Sequence, residues 1–227
     1  MVSKKVIVAL DSKDFKNTIK LVKALKNDVH AFKIGYQFFF NFGLIGYKKI
    51  YSICPKIFLD LKLHDIPNTV KNGLAALSKI KPIFTTIHVS GGDEMMKLSV
   101  KNKKFTKVLG VSILTSMDSK QTKKIYNQKN VSFLVKKFAK LAKKNGLDGV
   151  VCSPKEINVI RKETGKDFII VTPGIRLKNK VKNDDQKRIE APEEAIKLGA
   201  NYLVIGRPIT KSKNPLKTLK EINDILS

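Results

Sequence analysis

The chain has 227 residues, with 45 Lys and Arg against 19 Asp and Glu, a formal net charge of +26 and 42 % hydrophobic residues. That apolar share excludes a disordered chain, and the length suits one domain with a sizeable core. The longest weakly charged apolar stretch, 34–47, is short and holds Gln37 and Asn41, which excludes a membrane helix.

So large a charge raises the question of a polyanionic partner. The lysines, however, lie in almost every segment, as in VKKFAKLAKK at 135–144, and few aromatic residues sit among them. This spread predicts solvated lysine-rich faces, weak nonspecific polyanion binding and no specific nucleic-acid site. The segment ahead of Asp11 has too few apolar residues for a signal peptide, so the expectation is a cytoplasmic protein. Cys54 and Cys152 have no Cys or His at ligand spacing and adjoin apolar runs, which predicts buried, reduced thiols.

In chain order, strands are predicted at 5–10, 31–35, 56–61, 83–89, 107–113, 148–152, 168–171 and 201–206. Most are almost continuously apolar, as in parallel strands covered on both faces. Residues 13–26 place Phe15, Ile19, Val22 and Leu25 at helical spacing, with Asp11 or Ser12 as the cap. Residues 131–145 repeat the pattern. Pro67 suits the first turn of a helix that follows the third strand. Strand–helix alternation over the whole chain predicts a (β/α)8 barrel of the TIM class, one catalytic domain spanning 1–227. An open doubly wound sheet is the competitor, but neither GxGxxG nor GxxxxGK[ST] is present.

The strand ends carry the chemistry. Asp11, Lys33, Asp60 with Lys62, and His88 close the first four runs, and Thr115 follows the fifth. TPGIR (172–176, with Pro173 and Arg176) follows the seventh, and GRP (206–208, with Gly206 and Arg207) the eighth. A barrel of this class builds its active site at the C-terminal ends of its strands, with a phosphate site after strands seven and eight. The forked guanidinium of Arg207 suits a phosphate, and Gln186 of the long polar segment 176–188 is a further donor. In FLDLKLHDIPNTV (58–70), alternation puts Asp60 and Lys62 on the inner face and Leu59 and Leu61 toward the helices. Asp65 falls beyond the strand with opposite parity, free to reach a neighbouring subunit. Lys33 ends the adjacent strand, so Lys and Asp alternate in an array that holds each charge by its neighbours. His30 is expected at the surface and His64 at the rim, while His88 is open between a structural and a site role. No cluster has metal-ligand spacing, so no metal is expected.

Taken in order, VIVALD, FKIG, DLKLHDIPNTV, HVSGG, LTS, TPGIR and GRPIT closely resemble the strand-end motifs of the orotidine 5'-phosphate decarboxylases, over essentially the whole chain. The resemblance implies conversion of OMP to UMP, the last step of de novo pyrimidine synthesis, without metal, pyridoxal or thiamine. It implies a charged catalytic array of Lys33, Asp60 and Lys62 completed by Asp65 from the partner subunit, with Lys62 as proton donor to C6 and Asp60 against the substrate carboxylate. Asp11 and Lys33 would hold ribose hydroxyls, and Thr115 would contact the base. Pro173, Arg176, Gln186, Gly206 and Arg207 would lie on the phosphate side. Asp65, Ile66 and Thr69 would reach across the interface of a homodimer. The segment between Arg176 and Gln186 is one residue longer than the family's usual pattern. Sugar-phosphate decarboxylases and hexulose-phosphate synthases share DxKxxD, but they carry a magnesium-binding glutamate where Lys33 stands and lack IPNT. A nonenzymatic RNA-binding barrel is the remaining reading, and it predicts affinity that falls steeply with salt.

Overall fold

The computed structural model of the chain describes residues 4–176 and 190–227. The apolar runs become strands β1 (Val6–Ala9), β2 (Ala31–Ile34), β3 (Ile57–Leu63), β4 (Phe84–His88), β5 (Lys107–Val111), β6 (Gly149–Val151), β7 (Ile169–Thr172) and β8 (Tyr202–Ile205). They pair in parallel in sequence order, and β8 returns to β1 to close the barrel. The helices that cover it are α1 (Phe15–Leu25), α2 (Tyr36–Ile53), α3 (Pro67–Ser78), α4 (Gly92–Asn102), α5 (Ser119–Tyr126), α6 (Val131–Lys144), α7 (Ile157–Thr164), α8 (Pro192–Lys197), α9 (Arg207–Thr210) and α10 (Pro215–Ile225). Among the described residues, no helix is long and apolar enough to cross a membrane.

Alternation along the strands separates two apolar sets. Val6, Val8, Phe32, Ile34, Ile57 and Leu59 join the large cluster between sheet and helices. Ile7, Ala9, Ala31, Phe58, Phe84, Leu109, Val171 and Val204 fill the barrel interior. Cys54 and Cys152 are buried free thiols.

Two local expectations change. The cap of α1 is Asp14, whose carboxylate accepts from the Asn17 N–H at 3.0 Å, and Ser12 instead accepts from the Asp14 N–H. Asp11 is unsuited to capping because its carboxylate turns toward Lys33. His30 is half-buried and not an open surface residue. Its ring stacks on Tyr202 with centroids 4.0 Å apart, beside Phe84, just before the start of β2. Burial there, with Lys56 and Lys107 nearby, lowers its pKa to about 4, so it packs as a neutral ring.

Candidate active site

On β2, β3 and β4, the inner positions nearest the strands' C-terminal ends are Lys33, Asp60 and Thr86. The matching positions of β1, β6 and β8 are Ala9, Val151 and Val204. The mouth of the barrel is therefore polar on three adjacent strands and apolar across from them. All these residues border a cavity of about 540 Å³ except Thr86, which is sealed beneath it with no exposed surface.

Charges alternate across this wall. Lys62 Nζ lies 2.9 Å from Asp60 Oδ2, Lys33 Nζ lies 3.5 Å from the same oxygen, and Asp11 Oδ1 lies 3.4 Å beyond Lys33. Thr86 donates its hydroxyl to the other Asp60 oxygen at 2.9 Å. Burial alone would push the Asp60 pKa up. The ammonium groups of Lys33 and Lys62, with hydrogen bonds from Lys62 and Thr86, outweigh it and hold the carboxyl below its ordinary range. The Asp60 side chain is 9 % exposed and that of Lys62 28 %, so the carboxylate is fixed while the ammonium is open to a ligand.

The chain reaches this geometry by a departure from plain alternation. The pairing of β3 with β4 is regular at Leu59↔Thr85 and resumes at Leu63↔Ile87, and within the irregularity Lys62 has a left-handed backbone (φ 44°). Asp60 and Lys62 still meet, through a bulge and not through the two-residue period of a flat strand. Gly35 leaves room for the next pair: a Cβ there would lie 2.8 Å from Asp11 Oδ1 and 3.0 Å from Lys33 Nζ.

Thr115, which follows β5, and Pro173, Arg176, Gly206 and Arg207, which follow β7 and β8, border the same cavity. Gly206 precedes the single turn of α9, and Arg207 opens it. Arg176 ends the described part of the segment after β7. Its N–H bonds the Glu190 carbonyl at 3.0 Å, which pins together the two ends of that segment. Gln186 lies outside the described residues. Ser112 and Ser153 are buried and do not border the cavity: Ser112 donates to the Val151 carbonyl, and Ser153 accepts from the Lys155 N–H.

Asp65, Ile66 and Thr69 do not join the array of their own chain. Asp65 is exposed and accepts from the Ile66 N–H at 2.6 Å, Ile66 is 67 % exposed, and Pro67 starts α3 as the sequence predicts. They lie on or beside a second hollow of about 540 Å³ lined by Tyr36, Lys62, His64, Asp65, Thr69 and His88, so two hollows meet at Lys62. His64 is exposed there, 5.1 Å from the His88 ring. Burial, with His64 and Lys62 nearby, lowers the His88 pKa. Among the described residues, no group of three or more His, Cys, Asp or Glu side chains is placed to hold a metal ion.

Sequence reasoning missed Thr86, Tyr36 and Gln37. Tyr36 bonds the Leu61 carbonyl at 3.1 Å and sets its ring 5.7 Å from Lys62 Nζ, and Gln37 borders the main cavity. The available signal was their position: both directly follow the Lys33 strand end, at the start of α2.

The sequence model of the "Orotidine 5'-phosphate decarboxylase / HUMPS family" matches residues 4–222. The chain belongs to this family. It is 43 % identical to the orotidine 5'-phosphate decarboxylase of Wolbachia pipientis over 225 residues, covering 96 % of this chain and 99 % of the relative. It is 42 % identical to the Ehrlichia chaffeensis protein of that name, covering 98 % and 96 %. The crystal structure of orotidine 5'-phosphate decarboxylase from Lactobacillus acidophilus superposes with a TM-score of 0.86 at 36 % identity, covering 99 % of both chains. The family thus spans the whole barrel, and the array of Lys33, Asp60 and Lys62 lies within the matched residues.

Proposed function

We propose that this chain is an orotidine 5'-phosphate decarboxylase, a carboxy-lyase that converts OMP to UMP in pyrimidine biosynthesis. The observation that carries the reading is a fixed carboxylate, Asp60, touching an open ammonium, Lys62, in a cavity whose far side holds Arg176 and Arg207. A nucleoside monophosphate matches this polarity, with its phosphate at the arginines and its base at the charged wall.

Cleavage of the bond between C6 and the carboxylate releases CO2 and leaves the electron pair on C6, where no ring position obviously delocalises it. The Lys62 ammonium beside C6 stabilises that pair and then transfers a proton to it, giving UMP and a neutral amine that regains its proton from water. Asp60 faces the substrate carboxylate, and their repulsion is relieved as CO2 leaves. Lys33 fixes Asp60 from the other side and, with Asp11, holds ribose hydroxyls, while Thr115 contacts the base. Pro173, Arg176, Gly206, Arg207 and Gln186 bind the phosphate, so remote binding energy organises the reacting end. Residues 1–227 act as one catalytic barrel, in the cytoplasm.

The site is shared by two copies of the chain. Tyr36, Phe40, Leu44 and Ile45 of α2 and Ile66 before α3 expose large apolar surface, and Tyr36 joins that face to Lys62. A self-complementary contact through this face brings Asp65, Ile66 and Thr69 of one copy to the Lys62 hollow of the other. The test of the activity is direct: EDTA-treated protein is mixed with OMP and its ultraviolet spectrum is followed. Conversion to UMP without added metal is expected. No turnover would refute the reading, and turnover only with magnesium would assign the chain to the metal-dependent branch of its family.

A further inference from the structure

We infer that Thr86 is a positioning residue of the decarboxylation: its single hydroxyl sets both the backbone of Lys62 and the carboxylate of Asp60. This rests on the decarboxylase reading above. Between the paired positions Leu59↔Thr85 and Leu63↔Ile87, β3 has three residues, Asp60, Leu61 and Lys62, and β4 has only Thr86. Strand pairing cannot serve all three. The Lys62 N–H turns instead to the Thr86 hydroxyl oxygen at 2.9 Å. The same hydroxyl donates to Asp60 Oδ1 at 2.9 Å. One donated and one accepted hydrogen bond tie the hydroxyl to both partners.

Two consequences follow from this placement. Lys62 has a positive φ (44°), which a non-glycine residue holds only when its surroundings require it. The Thr86 hydroxyl is the side-chain contact that fixes its N–H there. Asp60, for its part, receives Thr86 on Oδ1 and Lys62 on Oδ2. The carboxylate therefore cannot rotate away from the ammonium without breaking a bond. Thr86 has no exposed surface, so water does not replace the hydroxyl if it is lost.

The experiment compares wild type, Thr86→Val and Thr86→Ser in OMP decarboxylation, with rates expressed per UMP-binding site so that unfolded protein does not count. Valine keeps the shape and removes the oxygen. It is expected to lower kcat about 10- to 100-fold while KM changes less than about threefold. Loss of a hydrogen bond to the ionised Asp60 also moves the acid limb of the kcat profile to higher pH. Serine keeps the hydroxyl and is expected within about threefold of wild type. Where Thr86→Val does not fold, Thr86→Ala, which removes the same oxygen with less bulk, is read the same way. The inference is overturned if the hydroxyl-free variant keeps wild-type kcat, if serine loses as much as valine, or if KM alone moves. A wild type without turnover would instead defeat the functional reading.

Discussion

Asp60 is where burial and charge compete most sharply. A carboxylate this buried would resist ionisation, yet two ammonium groups and a hydroxyl hold its pKa below the ordinary 3.8. A group whose folded pKa is depressed stabilises the fold above its unfolded value, and that contribution is lost as pH falls through the folded one. Asp60→Asn is therefore expected to cost about 3 kcal/mol at neutral pH, because it leaves Lys33 and Lys62 facing each other without an anion. In urea titrations at successive pH values, the gap to wild type should narrow below about pH 4. A gap independent of pH would contradict this electrostatic assignment. Lys33, Asp60 and Lys62 were legible in the sequence because charges at the end of an apolar strand are hard to explain by packing. The left-handed backbone of Lys62 was not legible, since LDLKL reads as uninterrupted alternation. Nor was Thr86, one β-branched residue among several in IFTTIHV. Its role arises only when β4 pairs with the bulged β3.

Among the elements, the strands were readable because both faces of each are covered, which makes their sequences continuously apolar. Their ends were read to within about two residues, the limit set by fraying and by differing definitions of an end. The α1 cap was ambiguous because DSKD offers several acceptors in a row. The tertiary contact of Asp11 with Lys33 leaves the cap to Asp14. One feature joining elements was invisible in the sequence altogether. Arg161 of α7 donates through Nη1 to the carbonyls of Gly165, Lys166 and Phe168, and through Nη2 to the carbonyl of Gly199 and to Asn201 Oδ1. Asn201 Oδ1 also accepts the Ile170 N–H, so one side chain clamps α7, the entry to β7 and the turn before β8. Arg161→Met keeps the apolar stem and removes the fork. Thermal or urea unfolding should show a loss of about 2–4 kcal/mol, and Arg161→Lys should recover little of it, because an ammonium cannot reproduce the planar fork. Unchanged stability in Arg161→Met would show that the carbonyls find other partners.

At the scale of the whole molecule, eight strand–helix units fixed the closed barrel in advance, and the barrel fixes the mouth as the place where strand-end residues meet. The proposed pairing of two barrels is the part a single chain expresses least. What supports it is an exposed apolar face on α2, an exposed Ile66, and an exposed Asp65 that bonds the Ile66 N–H and stays outside its own chain's array. The reaction centre proposed above joins Lys62 of one chain to Asp65 of another. The most direct measurement mixes two variants that each lack one of them. Lys62→Ala and Asp65→Ala homodimers should each fold and lose at least about 10³-fold in OMP turnover. After subunit exchange at equal concentrations, half the dimers are mixed and each holds one intact site. Activity should then return to roughly a quarter of wild type. A Lys62→Ala parent with near-normal turnover, or demonstrated exchange without recovery, would contradict it.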